Sequence, residues 1–239
     1  MIVFLDCEAS SLAPRISYPT EIGWVAHDFS AGYVALVKPE SDWIDWNSEA
    51  EAVTGLSRQT IERFGEPSEK VAEALDDMLA GADVLTDSPG HDGRWLLRLY
   101  QAAHREPTFP ILDDVSAQPG AAASLDADRL IVRALDESAD RRRPRNQTSV
   151  AERHETLVAK AIAAVGLKAH RALDDAMALA ISLALAEATI LDEPETQRAI
   201  ETVVEKAKAT KRKIIDGAVA RWKRSGGEEE ETLRKKLER

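Results

Sequence analysis

The sequence has a single cysteine among its 239 residues, which excludes an internal disulfide. Cys7 lies in an apolar segment near the amino terminus. A thiol in such a segment is typically a packed core side chain rather than a nucleophile. The chemistry of this chain therefore has to come from other side chains.

The sequence also lacks a long apolar run. No stretch approaches the roughly 20 consecutive apolar residues that a membrane-spanning helix needs. The chain goes directly into a strand-like segment, with no charged leader, apolar signal core or small-residue cleavage site. We therefore expect no membrane partner and a cytoplasmic location.

Positive charge is scarce: 31 basic residues face 42 acidic ones, for a formal net charge of −11. Residues 187–239 carry 13 basic and 12 acidic residues, so the acidity lies in residues 1–186. The total charge argues against a nucleic-acid partner. Bound divalent cations would offset the acidity locally, and the field close to a site governs a phosphate ligand more than the total does.

With 44% hydrophobic and 31% charged residues, the composition is that of a soluble globular protein. The length accommodates one substantial domain and an appendage. We predict a domain over residues 1–186 and a helical, partly basic carboxyl-terminal extension over residues 187–239.

The order of the predicted elements indicates an α/β fold. Residues 2–5, 21–26 and 33–37 predict three strands joined as a meander, residues 84–86 a short fourth strand and residues 109–112 a fifth. Strands first and strand-helix alternation afterwards are typical of a mixed sheet rather than a purely parallel one. We therefore predict a mixed five-stranded sheet flanked by helices.

Helix signals occupy the remainder of the chain. An apolar stripe at helical spacing predicts a helix over residues 67–79, and residues 87–91 predict a loop before a helix that starts at Asp92. From about residue 125 onward the pattern is helical.

Asp6 and Glu8 stand at the carboxyl end of the first predicted strand. Residues two apart in a strand point to the same face, so these carboxylates project together while Cys7 turns to the opposite layer. Two like charges this close need a cation, which indicates a site for Mg²⁺ or Mn²⁺. The same spacing recurs at Glu49 and Glu51, so the pair alone is weak evidence.

Two later segments offer further ligands. Asp92 begins a predicted helix, where a carboxylate can simply cap free backbone N–H groups. His170 precedes another predicted helix, whose first turn holds Asp174 and Asp175. Either acid can face a site near His170, or can act only as a helix-start acid, and helical spacing does not choose between them.

Together these motifs resemble the DEDDh 3′-to-5′ exonuclease superfamily, which includes proofreading subunits of bacterial replicative polymerase and ribonuclease T. Asp6-Cys7-Glu8 matches the family's Asp-x-Glu motif. Asp92 precedes an aromatic residue and a leucine as in the second motif. The third motif, His-x-Ala-x-x-Asp, begins at His170 and selects Asp175.

The resemblance covers residues 1–186, including connecting segments at 53–57 and 65–67, and implies a ribonuclease H-like fold. There are two departures. Ala9 and Ser10 replace a common threonine pair, and residues 87–88 replace a usual His-Asn. Both departures leave the acids intact but put the substrate preference in doubt.

The resemblance implies an enzyme that releases 5′-nucleoside monophosphates from single-stranded or 3′-ended DNA or RNA, using two divalent cations, Mg²⁺ or Mn²⁺. The implied ligands are Asp6, Glu8, Asp92 and Asp175, with Asp6 bridging both ions. His170 is expected to deprotonate the attacking water, which suits the ordinary imidazole pKa of about 6.5.

The resemblance also implies a seat for the terminal nucleotide, formed by backbone groups of Ala9, Ser10 and Ser11 and by the side chain of Leu12. Two other functions remain open at this point. One is a catalytically idle binding module of the same fold, and the other is a phosphodiesterase restricted to very short oligonucleotides.

Two basic stretches complete the sequence. Residues 140–147 contain four arginines and form either a solvated connection or a phosphate-contacting loop. Residues 194–224 predict one long helix with an apolar stripe and a basic face. We favour packing of that stripe on the domain or on a second copy, as in a homodimer, over a nucleic-acid grip. Residues 226–231 begin a polar tail that we expect to fray.

Overall fold

The computed structural model describes residues 1–111, 127–142 and 147–238 of the chain. Three strands come first, and helices dominate the rest. The elements in chain order are β1 Ile2–Ala9, β2 Pro19–Ala26, β3 Gly32–Leu36, α1 Ser48–Thr54, α2 Arg58–Phe64, α3 Ser68–Leu79, β4 Asp83–Leu85, α4 Pro89–Ala102, α5 Ala127–Arg142, α6 Gln147–Val165, α7 Ala172–Leu185, a short 3-10 helix Glu187–Ile190, α8 Glu193–Arg224 and α9 Glu230–Leu237.

The described strands form one mixed sheet in the order β3-β2-β1-β4. The first three strands are antiparallel neighbours, which confirms the predicted meander, and β4 lies parallel to β1. Phe4 pairs with Leu85 across the parallel ladder. The mixed α/β class is therefore confirmed.

The predicted fifth strand is wrong, because the described sheet has four strands and residues 109–111 do not pair with it. Leu112 lies outside the described residues. The backbone N–H of Thr108 donates to Asp76 at 3.0 Å, and Phe109 packs edge-on against Tyr100 with ring centroids 6.1 Å apart. These contacts hold the segment against α3 and α4, and Pro110 has no N–H to offer a ladder.

The start of one helix and the fold of the terminal segment also differ from the prediction. Helix α4 starts at Pro89, because proline lacks an N–H that a first helical turn would leave unpaired. Residues 230–237 form a helix instead of a frayed tail, since Leu233 and Leu237 are buried in the core. In the arginine-rich stretch, residues 140–142 end α5, and residues 143–146 lie outside the described residues.

A glycine on β2 allows α7 to approach the sheet closely. A Cβ atom at Gly23 would lie 2.3 Å from the backbone nitrogen of Leu173, which no side chain tolerates. Gly23 is also the residue opposite Asp6 on β1. The first turn of α7 is therefore brought to the part of the sheet that carries the first acidic motif.

Helix α8 packs against β3, α6 and α7 and buries its apolar stripe there. Ile214, Ile215 and Val219 belong to the same hydrophobic core as the sheet, and the hydroxyl of Thr210 donates to the carbonyl of Phe29 at 2.6 Å. The stripe is thus covered within the chain. The division at residue 186 and the homodimer stay predictions. Across the described residues, every helix is too short or too polar to span a bilayer.

Candidate active site

The carboxyl end of β1 brings Asp6 and Glu8 to one edge of the sheet, opposite Gly23 and Glu21 of β2. The Oδ2 atom of Asp6 is buried and has no hydrogen-bond partner among the described residues. Such an oxygen has lost its water without gaining a donor, which is energetically costly. A divalent cation, which binds oxygen ligands, would meet that need.

Glu8 also meets His170 and Asp175, and candidate ligand atoms of these three residues all lie within 4.8 Å of one another. Asp175 accepts hydrogen bonds from the backbone N–H groups of His170, at 2.8 Å, and Arg171, at 3.2 Å. His170 has a φ of 62°, in the left-handed region that few non-glycine residues adopt. The bonds to Asp175 hold this turn, so the exposed imidazole stays close to Glu8.

The structure separates Asp174 from Asp175, which helical spacing could not do. Asp174 is buried, forms an ion pair with Lys211 of α8 at 2.7 Å, and accepts a hydrogen bond from the backbone of Lys168 at 2.9 Å. Asp174 therefore joins α8 to the start of α7, whereas Asp175 lies with Glu8.

Asp92 completes a second acidic group with Asp6 and Asp87, whose ligand atoms also lie within 4.8 Å of one another. Asp92 is only 1% exposed and accepts hydrogen bonds from the backbone of Cys7, at 3.2 Å, and from the hydroxyl of Thr86. Its carboxylate thus binds β1 and the end of β4 instead of capping α4. Asp87 was not predicted as a ligand, although its acidity at a departure from the family pattern was a visible signal.

The electrostatics of the cluster resist full ionisation. Burial, assisted by the charge of Glu21, raises the pKa of Glu8 to about 8. Burial also raises the pKa of Asp92 to about 7 and that of Asp175 to about 6. Burial and then the charge of Asp92 raise the pKa of Asp6 well above its ordinary value. Cations bound among these groups would favour their charged forms, so the donor set fits divalent metal.

A buried ion pair holds the start of α7 against β2. Arg171 donates from Nη2 and Nε to the two carboxylate oxygens of Glu21, at 2.6 and 3.0 Å. Glu21 also accepts from the backbone of Ala172 at 3.0 Å, and Arg171 donates to the carbonyl of Lys236 in α9 at 2.8 Å. Glu21 therefore serves a structural hydrogen-bonding role, and sequence reasoning missed Arg171 as its partner.

A pocket of 370 Å³ opens beside the acidic cluster. Glu8 and His170 line it on the side of the acidic cluster, and Leu12 and Trp95 contribute apolar walls. The indole N–H of Trp95 donates to the hydroxyl of Ser17 at 3.0 Å, which fixes the ring. An apolar, partly aromatic pocket next to metal-ligand candidates can hold a base while its phosphate faces the acids.

The predicted nucleotide seat is only partly at this pocket. Ala9, Ser11 and Leu12 line the pocket, and Leu12 is 70% exposed. Ser10 does not line it. The Ser10 side chain is buried, with its hydroxyl donating to Asp45 at 2.7 Å and its backbone N–H to the carbonyl of Tyr18 at 3.0 Å.

Comparison with known proteins gives limited likenesses. No protein-family profile matches the chain, and no curated protein sequence matches it. Among solved structures, E. coli exonuclease I bound to a dA16 oligonucleotide is 15% identical, with a TM-score of 0.48 over 84% of this chain and 42% of that one. E. coli exonuclease I bound to a dT13 oligonucleotide is 18% identical, with a TM-score of 0.39 over 44% of this chain and 24% of that one.

An apo structure of exonuclease I is 16% identical, with a TM-score of 0.48 over 84% of this chain. This chain spans less than half the length of each of these solved chains. Because all three TM-scores are below 0.5, the function is inferred from the geometry of the site.

Proposed function

We propose that this chain is a metal-dependent 3′-to-5′ exonuclease that releases 5′-nucleoside monophosphates from single-stranded or 3′-ended DNA or RNA. The observation that carries the proposal is the meeting of two oxygen-rich ligand groups at the end of β1. One group includes a histidine, and a nucleotide-sized pocket adjoins it. The five carboxylates of these two groups do not serve stability, since buried acids cost free energy unless they are paired.

The residues that would hold two divalent ions, Mg²⁺ or Mn²⁺, divide into two sets around Asp6, which we assign to both. Glu8 and Asp175 would hold one ion, and Asp92 and Asp87 would hold the other. When bound, such a pair stabilises charge on the attacking and leaving oxygens of a phosphodiester. Asp6 suits the shared role because its buried Oδ2 has no competing donor among the described residues.

His170 is the proposed general base. Its imidazole is exposed and lies next to Glu8, so it can take a proton from water at the site and release it to solvent. Asp175 positions the backbone on both sides of that imidazole through two hydrogen bonds. Leu12 and Trp95 are proposed to contact the terminal base, while Ala9 and Ser11 approach its sugar.

The experiment is digestion of 3′-labelled oligonucleotides of graded length, in DNA and RNA, with Mg²⁺ or with a chelator. We expect stepwise release of labelled mononucleotide in Mg²⁺ alone. Absence of turnover on every substrate would refute the proposal in favour of an idle binding module. Turnover confined to dinucleotides would replace it with a short-oligonucleotide phosphodiesterase.

Adjacent aspartates provide a matched pair of variants. Asp175→Asn should lower turnover at least about a hundredfold, because a metal ligand is lost, while the fold is kept. Asp174→Asn should lower the free energy of unfolding by about 3 kcal/mol, because Lys211 loses a buried partner, and should retain turnover wherever the variant is folded. Equal turnover in the two variants would contradict the assignment of Asp175.

A further inference from the structure

A second groove, here called the basic groove, lies between the end of β3, the end of α2, the start of α3 and the end of α8. Its volume is 590 Å³. It shares no lining residue with the pocket beside the acidic cluster. Its lining includes five cationic side chains and one tryptophan, which are Lys38, Arg63, Lys70, Arg221, Arg224 and Trp222.

The charge of the basic groove contrasts with that of the whole chain. Among the described residues, Glu66 is the only acidic one in its lining, and it pairs with Arg221 at 3.2 Å. Two further lining cations have acidic partners outside the lining, Arg63 with Glu229 and Lys70 with Glu73. In the described part of the chain, Lys38 and Arg224 have no ion-pair partner. The basic groove therefore holds two cations free of acidic partners within the described ranges, in a protein of net charge −11.

The aromatic ring of the basic groove is held in a fixed position. Trp222 packs against Phe64 with ring centroids 5.5 Å apart. A Cβ atom at Gly227 would lie 2.3 Å from the indole ring, so the glycine backbone lies directly on it. Trp222 remains partly exposed where it lines the groove. A rigid aromatic surface beside cations loses little conformational entropy when a flat ligand stacks on it.

The basic groove opens at the same edge of the sheet as the acidic cluster. β1 and β3 are both antiparallel to β2, so their carboxyl ends point the same way. Glu8 pairs with Glu21, and Glu21 pairs with Leu36, which puts Leu36 about 10 Å from Glu8 at two strand spacings. Lys38 follows Leu36 by two residues, beyond the strand end.

We propose that the basic groove binds the sugar-phosphate backbone of a single-stranded nucleic acid, several nucleotides from the 3′ end held at the acidic cluster, with a base stacked on Trp222. This inference rests on the proposed function. Lys38 and Arg224 contact phosphates. A stacking ring among cations is the combination that single-strand binding uses, whereas an acidic peptide would need only the charges. The acidic peptide is therefore an outcome of the test.

The test compares the groove variant Lys38→Ala/Arg224→Ala with the control variant Lys208→Ala/Arg212→Ala. The control removes the same charge from two exposed positions of α8 that do not line the groove. Both pairs are placed in an Asp175→Asn background with Mg²⁺, and fluorescence anisotropy measures binding of a 5′-labelled oligothymidylate. An oligonucleotide of about 12 nucleotides falls within the range of about 4 to 16 nucleotides that a single-strand-binding OB fold covers. Thermal unfolding checks that each variant folds.

We expect the groove variant to bind the long oligonucleotide about tenfold more weakly, with a salt dependence shallower by about 1.4 in log K against log salt, as for two lost phosphate contacts. The control variant should bind as the Asp175→Asn protein does, and with Asp175 restored the groove variant should cleave a dinucleotide at the rate of the unsubstituted protein.

Groove and control variants with equal affinity and salt dependence would overturn the inference while leaving the exonuclease proposal intact. Labelled polyglutamate that binds more tightly than the oligothymidylate, and is weakened by the groove substitutions but not by the control substitutions, would indicate an acidic-peptide site and also overturn it. A parent that neither binds nor cleaves any oligonucleotide would refute both proposals.

Discussion

Neutralising Glu8 should remove a penalty that the folded chain bears when metal is absent. Burial raises the pKa of Glu8 from 4.5 to about 8. Between these values the folded state keeps a proton that the unfolded state has released, so stability falls as the pH rises. At 1.36 kcal/mol per pKa unit, Glu8 lowers the free energy of unfolding by about 3 kcal/mol between pH 5 and pH 8. Glu8→Gln carries no such charge and should lose this part of the pH dependence.

The assay is urea unfolding followed by tryptophan fluorescence from pH 5 to pH 8, in chelator and in Mg²⁺. In chelator the parent should lose stability toward pH 8, and Glu8→Gln should lose less. Saturating Mg²⁺ should stabilise the parent at pH 8, by about 2.7 kcal/mol at a hundredfold excess over the dissociation constant, and should have a much weaker effect on the variant. Glu106→Gln, at an exposed position, is the control for removal of one acid. A parent whose stability is constant from pH 5 to pH 8 in chelator, or a variant that responds to Mg²⁺ as the parent does, would refute the reasoning.

Two further predictions follow from the same cluster. Asp87→Asn should raise the Mg²⁺ concentration needed for half-maximal turnover about tenfold, with an unchanged maximal rate, and a metal titration of activity that superimposes on the parent would rule Asp87 out as a ligand. Gly23→Ala should lower the free energy of unfolding by about 3 kcal/mol and reduce turnover at temperatures where the variant is folded, because the added methyl pushes α7 and its Asp175 away from the sheet. Full turnover in folded Gly23→Ala would show that the close approach of α7 does not position the site.

Local physics accounts for what the sequence determined. The alternation of side chains along a strand predicts that Asp6 and Glu8 project together, and the structure places them opposite Gly23 and Glu21, which are two residues apart on β2. The early meander followed from short polar turns between apolar segments. Helices α3 and α8 followed from their apolar stripes, and these patterns depend on neighbours within a few residues.

The tertiary structure decided everything that depends on contacts between distant segments. Helical spacing leaves Asp174 and Asp175 equivalent, and the motif resemblance selects Asp175. The structure adds the physical reason, because Lys211, far along the chain in α8, forms an ion pair with Asp174. Asp87 joins the acidic group only because the end of β4 lies beside β1. Residues 109–111 have strand-like composition, but hydrogen bonding of Thr108 to Asp76 holds them off the sheet. A sequence encodes local periodicity directly, whereas the choice among equivalent side chains depends on which partners the folded chain brings within a few ångströms.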